Sequence, residues 1–342
     1  MFLTLLNPIP RLRPEIAVII VNFNSWALLS CCLQSLAAQT FQNFSITIID
    51  NASRDNPPDG LLAQLPNAVL IRLAQNIGFA AANNLVVQHP TGESEWVALL
   101  NPDAFPEPDW LAQLMRASAA HPDCAVFASR QLNAANSDWL DGDGDSYHMS
   151  GKAWRNGYNC PVPASPANNA NHHERFDNPT VQPVFSPCGA AALYRRSVFA
   201  EAGGFDEEFF CYFEDVDLGF RLQLAGYPCL LVTQAVVHHV GSAATGGQHG
   251  DFAVYHGHRN LVWTYVKNMP GSLFWLFLPL HLLLNLVTLL HYRSRLGLIA
   301  RAKRDALRAL PAMLKKRRKI QSHRKVSLTA IWRLVDKRLL PK

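Results

Sequence analysis

Glu214-Asp215-Val216-Asp217 sets three carboxylates within four positions, just after a run of aromatic residues. Carboxylates this close repel one another unless a metal, a basic partner or a proton-transfer role makes use of them. Leu218, Leu222 and Gly226 fit a helix that begins near Glu214, and the N-terminal end of a helix favours acidic side chains. Arg221 stands four residues after Asp217 and can pair with it there. That gives Asp217 a structural role and leaves Asp215 for catalysis. Asp103, in Asn101-Pro102-Asp103, is a second candidate. A diphosphate needs its charge neutralised, usually by Mg²⁺ or Mn²⁺ held by one or two carboxylates and by the phosphates themselves. Asn101 would be a weaker neutral neighbour, and the alternative is a polar turn. Asp50 could accept hydrogen bonds from a base N–H or ribose hydroxyls, or serve in an Asx or capping turn. His238-His239 could bring an imidazole to a metal, although a histidine is more often structural. Arg259 suits a phosphate because its planar fork donates two hydrogen bonds.

Positioning these groups calls for a particular set of elements. Ile16–Val21, Ser45–Ile49, Val69–Leu73 and Trp96–Leu100 are apolar, β-rich runs, and Trp26–Gln39 has helical spacing of its apolar residues. Continuous apolar runs suit strands buried on both faces. Their alternation with helices predicts an α/β fold with a mostly parallel central sheet and crossover helices. Asn22, Asp50 and Asn101 each follow such a run. In open α/β sheets the ligand lies outside the carboxyl ends of the strands, so three strand ends converge on one site. A further apolar run, Leu230–Val237, is interrupted by Thr233 and Gln234 and leads to the two histidines. From Asn133 to Pro183 the pattern gives way to Gly, Asn, Pro, Asp and His. Loops of that length are commonly functional, and this one is expected to shape the acceptor or donor-sugar pocket. Asp141–Asp145 resembles the start of a calcium loop, but Lys152 stands where that loop needs Glu.

The chain of 342 residues can hold one large α/β domain and a smaller appendage. Its 17% of charged residues argues against a disordered or coiled-coil chain. Charge is unevenly placed. From His291 onward there are 17 Lys and Arg against 2 Asp and Glu, while the rest carries 14 against 24. A tail of +15 on a body of −10 implies a polyanionic partner, either nucleic acid or anionic lipid. Ser272–Leu290 is the most hydrophobic stretch and is near the length of a spanning helix. Pro279, His281 and Asn285 weaken a single-pass reading, and an interfacial helix or a buried one is the alternative. Two amphipathic helices are expected at Leu307–Lys319 and Leu328–Leu340. The seven cysteines contain no CxxC pair and read as reduced. The N-terminus lacks the charge-first pattern of a secretory leader.

The motifs together resemble family 2 glycosyltransferases of the GT-A (Rossmann-like) fold, and most nearly bacterial rhamnosyltransferases of surface-polysaccharide synthesis. They run in order as VNFN (Val21–Asn24), IIDNAS (Ile48–Ser53), NIGFAAANN (Asn76–Asn84) and LLNPDA (Leu99–Ala104). CGAAALYRR (Cys188–Arg196), GGFDEEFFCYFEDVDLGFR (Gly203–Arg221), HHVGS (His238–Ser242) and YHGHRN (Tyr255–Asn260) follow. The resemblance covers about residues 16–270. It implies that Asp50 contacts the base, that Asp103 is the surviving ligand of a DxD element whose first Asp is replaced by Asn101, and that His239 completes the metal site. It also implies that Asp215 is the general base, and that Asn22, Asn24, Asn51, Ser53, Asn76, Gly78, Asn83 and Arg259 serve the donor. The expected cofactor is Mg²⁺ or Mn²⁺.

The implied reaction is inverting transfer of a sugar from a nucleotide donor, rhamnose from dTDP-rhamnose or else a UDP-linked hexose. The expected division is a catalytic domain over 15–270 and a membrane-associating hydrophobic and basic helical region over 271–342. The apolar stretch beside Lys315–Lys319 favours an anionic membrane surface over nucleic acid. A polyprenyl-diphosphate-linked glycan acceptor at the cytoplasmic face of a bacterial inner membrane is the matching partner. A nucleotidyltransferase would need a Gly-rich, basic N-terminal loop, which VNFNSW does not offer.

Overall fold

In the computed structural model, which describes residues 14–62, 65, 68–87, 94–163, 181–241 and 250–338, the N-terminal apolar runs pair in parallel. Strand β1 (Ile16–Asn22) lies between β2 (Phe44–Asp50) and β4 (Trp96–Leu100), and β2 pairs with β3 (Ala68–Arg72). All residues of β1 and β4 are buried. Alternate side chains of β1 enter opposite layers. Val18 and Ile20 pack with Leu29 and Leu33 of the crossover helix α1 (Trp26–Ala37), whereas Ile19 and Val21 pack with Ala80 and Val87 of α2 (Phe79–Val87).

Beyond β4 the sheet reverses direction. Strand β11 (Ala191–Arg195) is antiparallel to both β4 and β6 (Val126–Asn133). Strand β12 (Cys229–His239) returns parallel to β6, and β10 (Val181–Val184) is antiparallel to it at the edge. The order is β10-β12-β6-β11-β4-β1-β2-β3, with β5 (Ala104–Pro106) paired to β12 and β7 (Asn136–Asp143) to β6. Helix α3 (Trp110–Ala120) packs on β12 and β6, while α4 (Arg196–Glu201) follows β11 and α5 (Glu214–Ala225) precedes β12. Part of the region that reads as loop is therefore ordered. Besides β7 it holds the hairpin of β8 (Asp145–Tyr147) and β9 (Ala153–Arg155). The segment Asn136–Asp143 has Trp139 as its one β-former, and it is pairing with β6 that makes it a strand. The Asn-rich run 164–180, Ser242 and the N-terminal residues 1–13 lie outside the described residues.

The C-terminal helices are α6 (Asp251–Asn268), α7 (Gly271–His291), α8 (Leu296–Arg308), α9 (Leu310–Ser322) and α10 (Leu328–Leu334). The expected helix at Leu307–Lys319 is instead split between α8 and α9. Pro311 sits in the first turn of α9, the place where its missing N–H costs nothing. The last helix ends at Leu334, well short of the expected Leu340. Tyr265 and Val266 of α6, Leu273 and Phe277 of α7, Met313 and Ile331 share a core with Phe209, Val216 and Phe220. The tail is thus packed against the segment that carries the acidic cluster.

Part of the tail's charge is neutralised inside the fold. Lys316 pairs with Asp206 and Glu208 at 2.6 Å each, and Lys267 of α6 contacts Asp217 at 2.8 Å and Asp206 at 2.5 Å.

Candidate active site

The carboxyl ends of β1, β2 and β4 face a cavity of about 710 Å³, within the range of ligand pockets. On the β1 and β2 side, side-chain amides fix the loops. Asn51 donates from Nδ2 to Asn76 Oδ1 at 2.9 Å, and its own Oδ1 accepts from the Ile77 N–H at 2.9 Å. Gly78 follows with φ +88°, and a Cβ there would stand 2.7 Å from the Phe210 carbonyl oxygen. Only glycine permits both that backbone conformation and that approach, so the NIGF turn abuts the loop leading to Asp215.

Asp50 is fully buried. Its Oδ1 accepts from the Ser53 N–H and its Oδ2 from Arg72 Nε, both at 3.0 Å. Ser53 Oγ in turn accepts from the Asn24 N–H at 2.8 Å and from Asn22 Nδ2 at 3.3 Å. Asn22, Asn24, Asp50 and Ser53 thus form a bonded bed beside Asn51.

Asp103, in the turn between β4 and β5, meets His239 at the end of β12. Residues 233–235 of β12 lie at a register shift against β6, a bulge that re-aims the following side chains. His239 is buried beyond it, while the adjacent His238 points the other way, toward Glu107 at 3.3 Å. His239 Nδ1 lies 2.7 Å from Asp141 Oδ2. Its Nε2 faces Asp103 Oδ1 at 3.3 Å yet is a buried atom without a hydrogen-bond partner. Burial opposes a charge on this ring, but the two carboxylates outweigh it and raise the imidazole above its usual range.

An Asp–His pair that fixes one ring nitrogen and presents the other is a common support for a metal. The donor set of one carboxylate and one imidazole fits a divalent cation whose remaining positions go to phosphate oxygens. Among the described residues no cluster of three or more His, Cys, Asp or Glu could hold a metal alone.

Asp215 stands in the first turn of α5 and lines the same cavity. Its Oδ2 accepts from the Gly189 N–H and its Oδ1 from the Val216 N–H, each at 2.8 Å. Burial raises its pKa, and the two N–H groups and Arg155 pull back against that rise. The neighbours fare differently. Burial and the Asp215 charge hold Glu214 well above the ordinary carboxylate range, and the same two causes act on Asp145. Of these acids, Asp215 is the one whose two carboxylate oxygens each accept a backbone N–H at the cavity wall, which favours its charged form and suits it to accept a proton. Asp217 pairs with Arg221 at 3.0 Å and with Lys267, as its structural reading requires.

The loop before α5 is strained. Phe210, Tyr212 and Phe213 have φ of +66°, +68° and +70°, which costs of order 1–3 kcal/mol each. Asn260 Nδ2 holds it, reaching the carbonyls of Phe209, Cys211 and Tyr212 at 3.0, 3.0 and 2.7 Å. Arg259 assists. Its Nη2 donates to the carbonyls of Glu208 and Phe209, and its guanidinium lies 4.2 Å over the Trp263 ring.

Of the residues singled out from sequence, Asn51, Asn76, Gly78, Asn101, Asp103, Asp215 and His239 line the cavity. Asn83 turns back on its own helix, donating to the Phe79 carbonyl at 2.9 Å. Arg259 supports the loop from behind. Sequence reasoning missed Asp141, Asp145, Arg155 and Asn260. Asp145 and Arg155 line the cavity, and Arg155 pairs with Asp141. The available signal was the Asp141–Asp145 acidic run, which fails as a calcium loop at Lys152 and whose partners His239 and Arg155 are not neighbours in sequence.

Comparison with known proteins identifies the family and the fold. The model of glycosyl transferase family 2 matches residues 17–203, more than half of the chain. An N-acetylglucosaminyl-diphospho-decaprenol L-rhamnosyltransferase of Mycobacterium tuberculosis is 30% identical over 251 residues, covering 67% of this chain and 77% of that protein. A mannosyltransferase of Pyrobaculum calidifontis, solved with GDP-Man and Mn²⁺, superposes with a TM-score of 0.51 at 18% identity, over 94% of this chain and 87% of the other. GalNAc-T7, solved with UDP, GalNAc and Mn²⁺, gives a TM-score of 0.52 at 16% identity over 66% of this chain, which spans only 43% of that longer protein. The chain is a glycosyltransferase of the GT-A fold and belongs to glycosyl transferase family 2, close in sequence to rhamnosyltransferases.

Proposed function

We propose that this enzyme moves rhamnose from dTDP-rhamnose, with inversion, onto a polyprenyl-diphosphate-linked sugar at the cytoplasmic face of a bacterial inner membrane. The observation that carries the reading is Asp215, its carboxylate held by the N–H groups of Gly189 and Val216 in the cavity that Asp103 and His239 share. The identity to a rhamnosyltransferase whose name specifies a decaprenyl-diphosphate acceptor supports the sugar and the acceptor class.

Asn51, Asn76 and Gly78 would receive the nucleotide side of the donor, with Asp50, Ser53, Asn22 and Asn24 holding the loops that meet it. Asp103 and His239 would hold the divalent cation, Mg²⁺ or Mn²⁺, whose charge stabilises the departing diphosphate. Asp215 takes the proton of the acceptor hydroxyl, and that oxygen attacks the anomeric carbon opposite the diphosphate. Attack from the far face inverts the centre, and the positioned base contributes about 10²–10⁴-fold.

Two features support the membrane setting. Helix α7 buries Leu273, Phe277 and His281 but leaves Trp275 71% and Leu290 68% exposed. Arginines of α8 remain largely exposed beside it. We assign residues 15–270 to catalysis and 271–342 to membrane association, in contact through a common core.

The test is release of nucleoside diphosphate from a panel of nucleotide sugars, with Mg²⁺ or Mn²⁺ and a polyprenyl-linked acceptor. Release from dTDP-rhamnose alone, dependent on acceptor and lost in Asp215→Asn, is the expected result. Release from a UDP-hexose instead would reassign the donor.

A further inference from the structure

Helix α7 runs back along α6. His281 stacks on Tyr265 with ring centroids 4.0 Å apart, and its Nδ1 meets the Ser150 carbonyl at 2.8 Å. One helical end later, Tyr292 lies against His258 at 5.2 Å. The end of α7 therefore arrives where α6 begins. There Arg295 pairs with Asp251 at 3.5 Å, and the next residue, Phe252, lines the catalytic cavity. Arg293 is exposed in the same turn. Leading to this corner is a bare apolar face made by Leu282, Leu283, Leu286, Val287 and Leu290, each at least half exposed.

We propose that this corner is the subsite for the diphosphate of a prenyl-diphosphate acceptor, with Arg293 and Arg295 as its cationic groups and the bare face of α7 as the bed for the isoprenoid chain. The inference rests on the lipid-linked acceptor proposed above and gives that acceptor a position. A track about 12 Å long from Leu282 to Leu290 that is apolar along its length and basic at its cavity end matches an amphiphile whose charged group sits between hydrocarbon and sugar. The Arg295–Asp251 pair is exposed on both sides, and such pairs contribute little, so a diphosphate can take over the guanidinium. A second copy of the chain would set arginine against arginine across a symmetric contact. A nucleic acid would leave the leucines unmet.

Binding of farnesyl diphosphate in neutral detergent tests the site, with EDTA present so that a metal-dependent donor site stays silent. The double variant Arg293→Glu/Arg295→Glu is expected to bind about tenfold more weakly or worse. Leu283→Gln/Leu286→Gln should weaken farnesyl diphosphate but leave inorganic diphosphate unchanged. Retained binding of nucleoside diphosphate with Mn²⁺ checks the fold of each variant. Unchanged farnesyl diphosphate affinity in the arginine variant would overturn the proposal. So would a variant that loses only its attraction to phosphatidylglycerol vesicles, since the corner would then read lipid headgroups. If the wild type binds farnesyl diphosphate yet glycosylates no prenyl-linked sugar, the acceptor reading falls and the prenyl-diphosphate subsite stands.

Discussion

Asp141 Oδ2 lies 2.7 Å from His239 Nδ1, although the two residues are 98 positions apart and on different strands. The contact fixes the imidazole so that Nε2, otherwise unpartnered, turns toward Asp103. Arg155 in turn pairs with Asp141. Asp141 therefore acts on the Asp103–His239 pair without lining the cavity.

Replacing Asp141 by Asn should weaken Mn²⁺ binding by about 10–100-fold, the usual effect of losing the group that orients a metal-bound histidine. Titration of Mn²⁺ followed by electron paramagnetic resonance, with and without nucleoside diphosphate, measures it directly. Unaltered affinity would remove Asp141 from any role at the metal.

The acid limb of kcat/KM should report Asp215. Burial lifts its pKa above the ordinary carboxylate value of about 3.9. A base works only when ionised, so activity is present above that raised pKa and is lost as pH falls through it. Arg155 lowers the Asp215 pKa. Arg155→Met should therefore move the acid limb to higher pH, and Arg155→Lys should leave it nearly in place. An Arg155→Met profile that coincides with wild type would separate Arg155 from the base.

Asp206 offers a stability test. Burial opposes its charge, but Lys267 and Lys316 override it and hold the carboxyl at about 2. A depressed carboxylate stabilises the fold above its unfolded pKa and loses that contribution as pH falls through the folded value. The window is thus about pH 4 down to about pH 2, and the shift corresponds to roughly 2 kcal/mol. Lys316→Ala should lower stability at neutral pH by about 1–2 kcal/mol and flatten the acid denaturation curve across that window. Urea unfolding at several pH values reads both. A parallel loss at every pH would mean that Lys316 acts by packing alone.

These predictions lean on groups of unequal legibility. Strands β1 and β4 could be read because they are buried on both faces and so are almost wholly apolar, and β2 because its Ile46, Ile48 and Ile49 are buried. Asp103 and His239 stood out because each follows an apolar run, and Asp215 because it opens a helix within an acidic cluster. Asp141, Asp145 and Arg155 come from a region without periodicity, where β7 forms by pairing with β6 and β8 by pairing with β9 and not by their own composition. Arg259 was read as a phosphate ligand because its chemistry suits one. Its engagement with the carbonyls of Glu208 and Phe209 depends on where α6 lies, and no local pattern encodes that. The split between α8 and α9 was signalled by Pro311, which the amphipathic spacing around it obscured.

Asn260 should control turnover more than donor binding. Its amide reaches three carbonyls of the 209–212 segment, and residues 209–213 hold three non-glycine residues at positive φ. The strain is of order 1–3 kcal/mol per residue, so without its clamp the loop gains by relaxing. Relaxation would shift the start of α5, where Asp215 sits, whereas the Asn51–Asn76 network has its own bonds. Asn260→Ala should thus lower kcat by about 10–100-fold, the scale of a misplacement near 1 Å, while donor affinity changes less than about threefold. Asn260→Gln keeps the amide but shifts it by a methylene, and should recover only part of the rate. Steady-state kinetics alongside equilibrium donor binding separates the two effects. Equal losses in kcat and donor affinity would mean that Asn260 supports the whole cavity and not the base in particular.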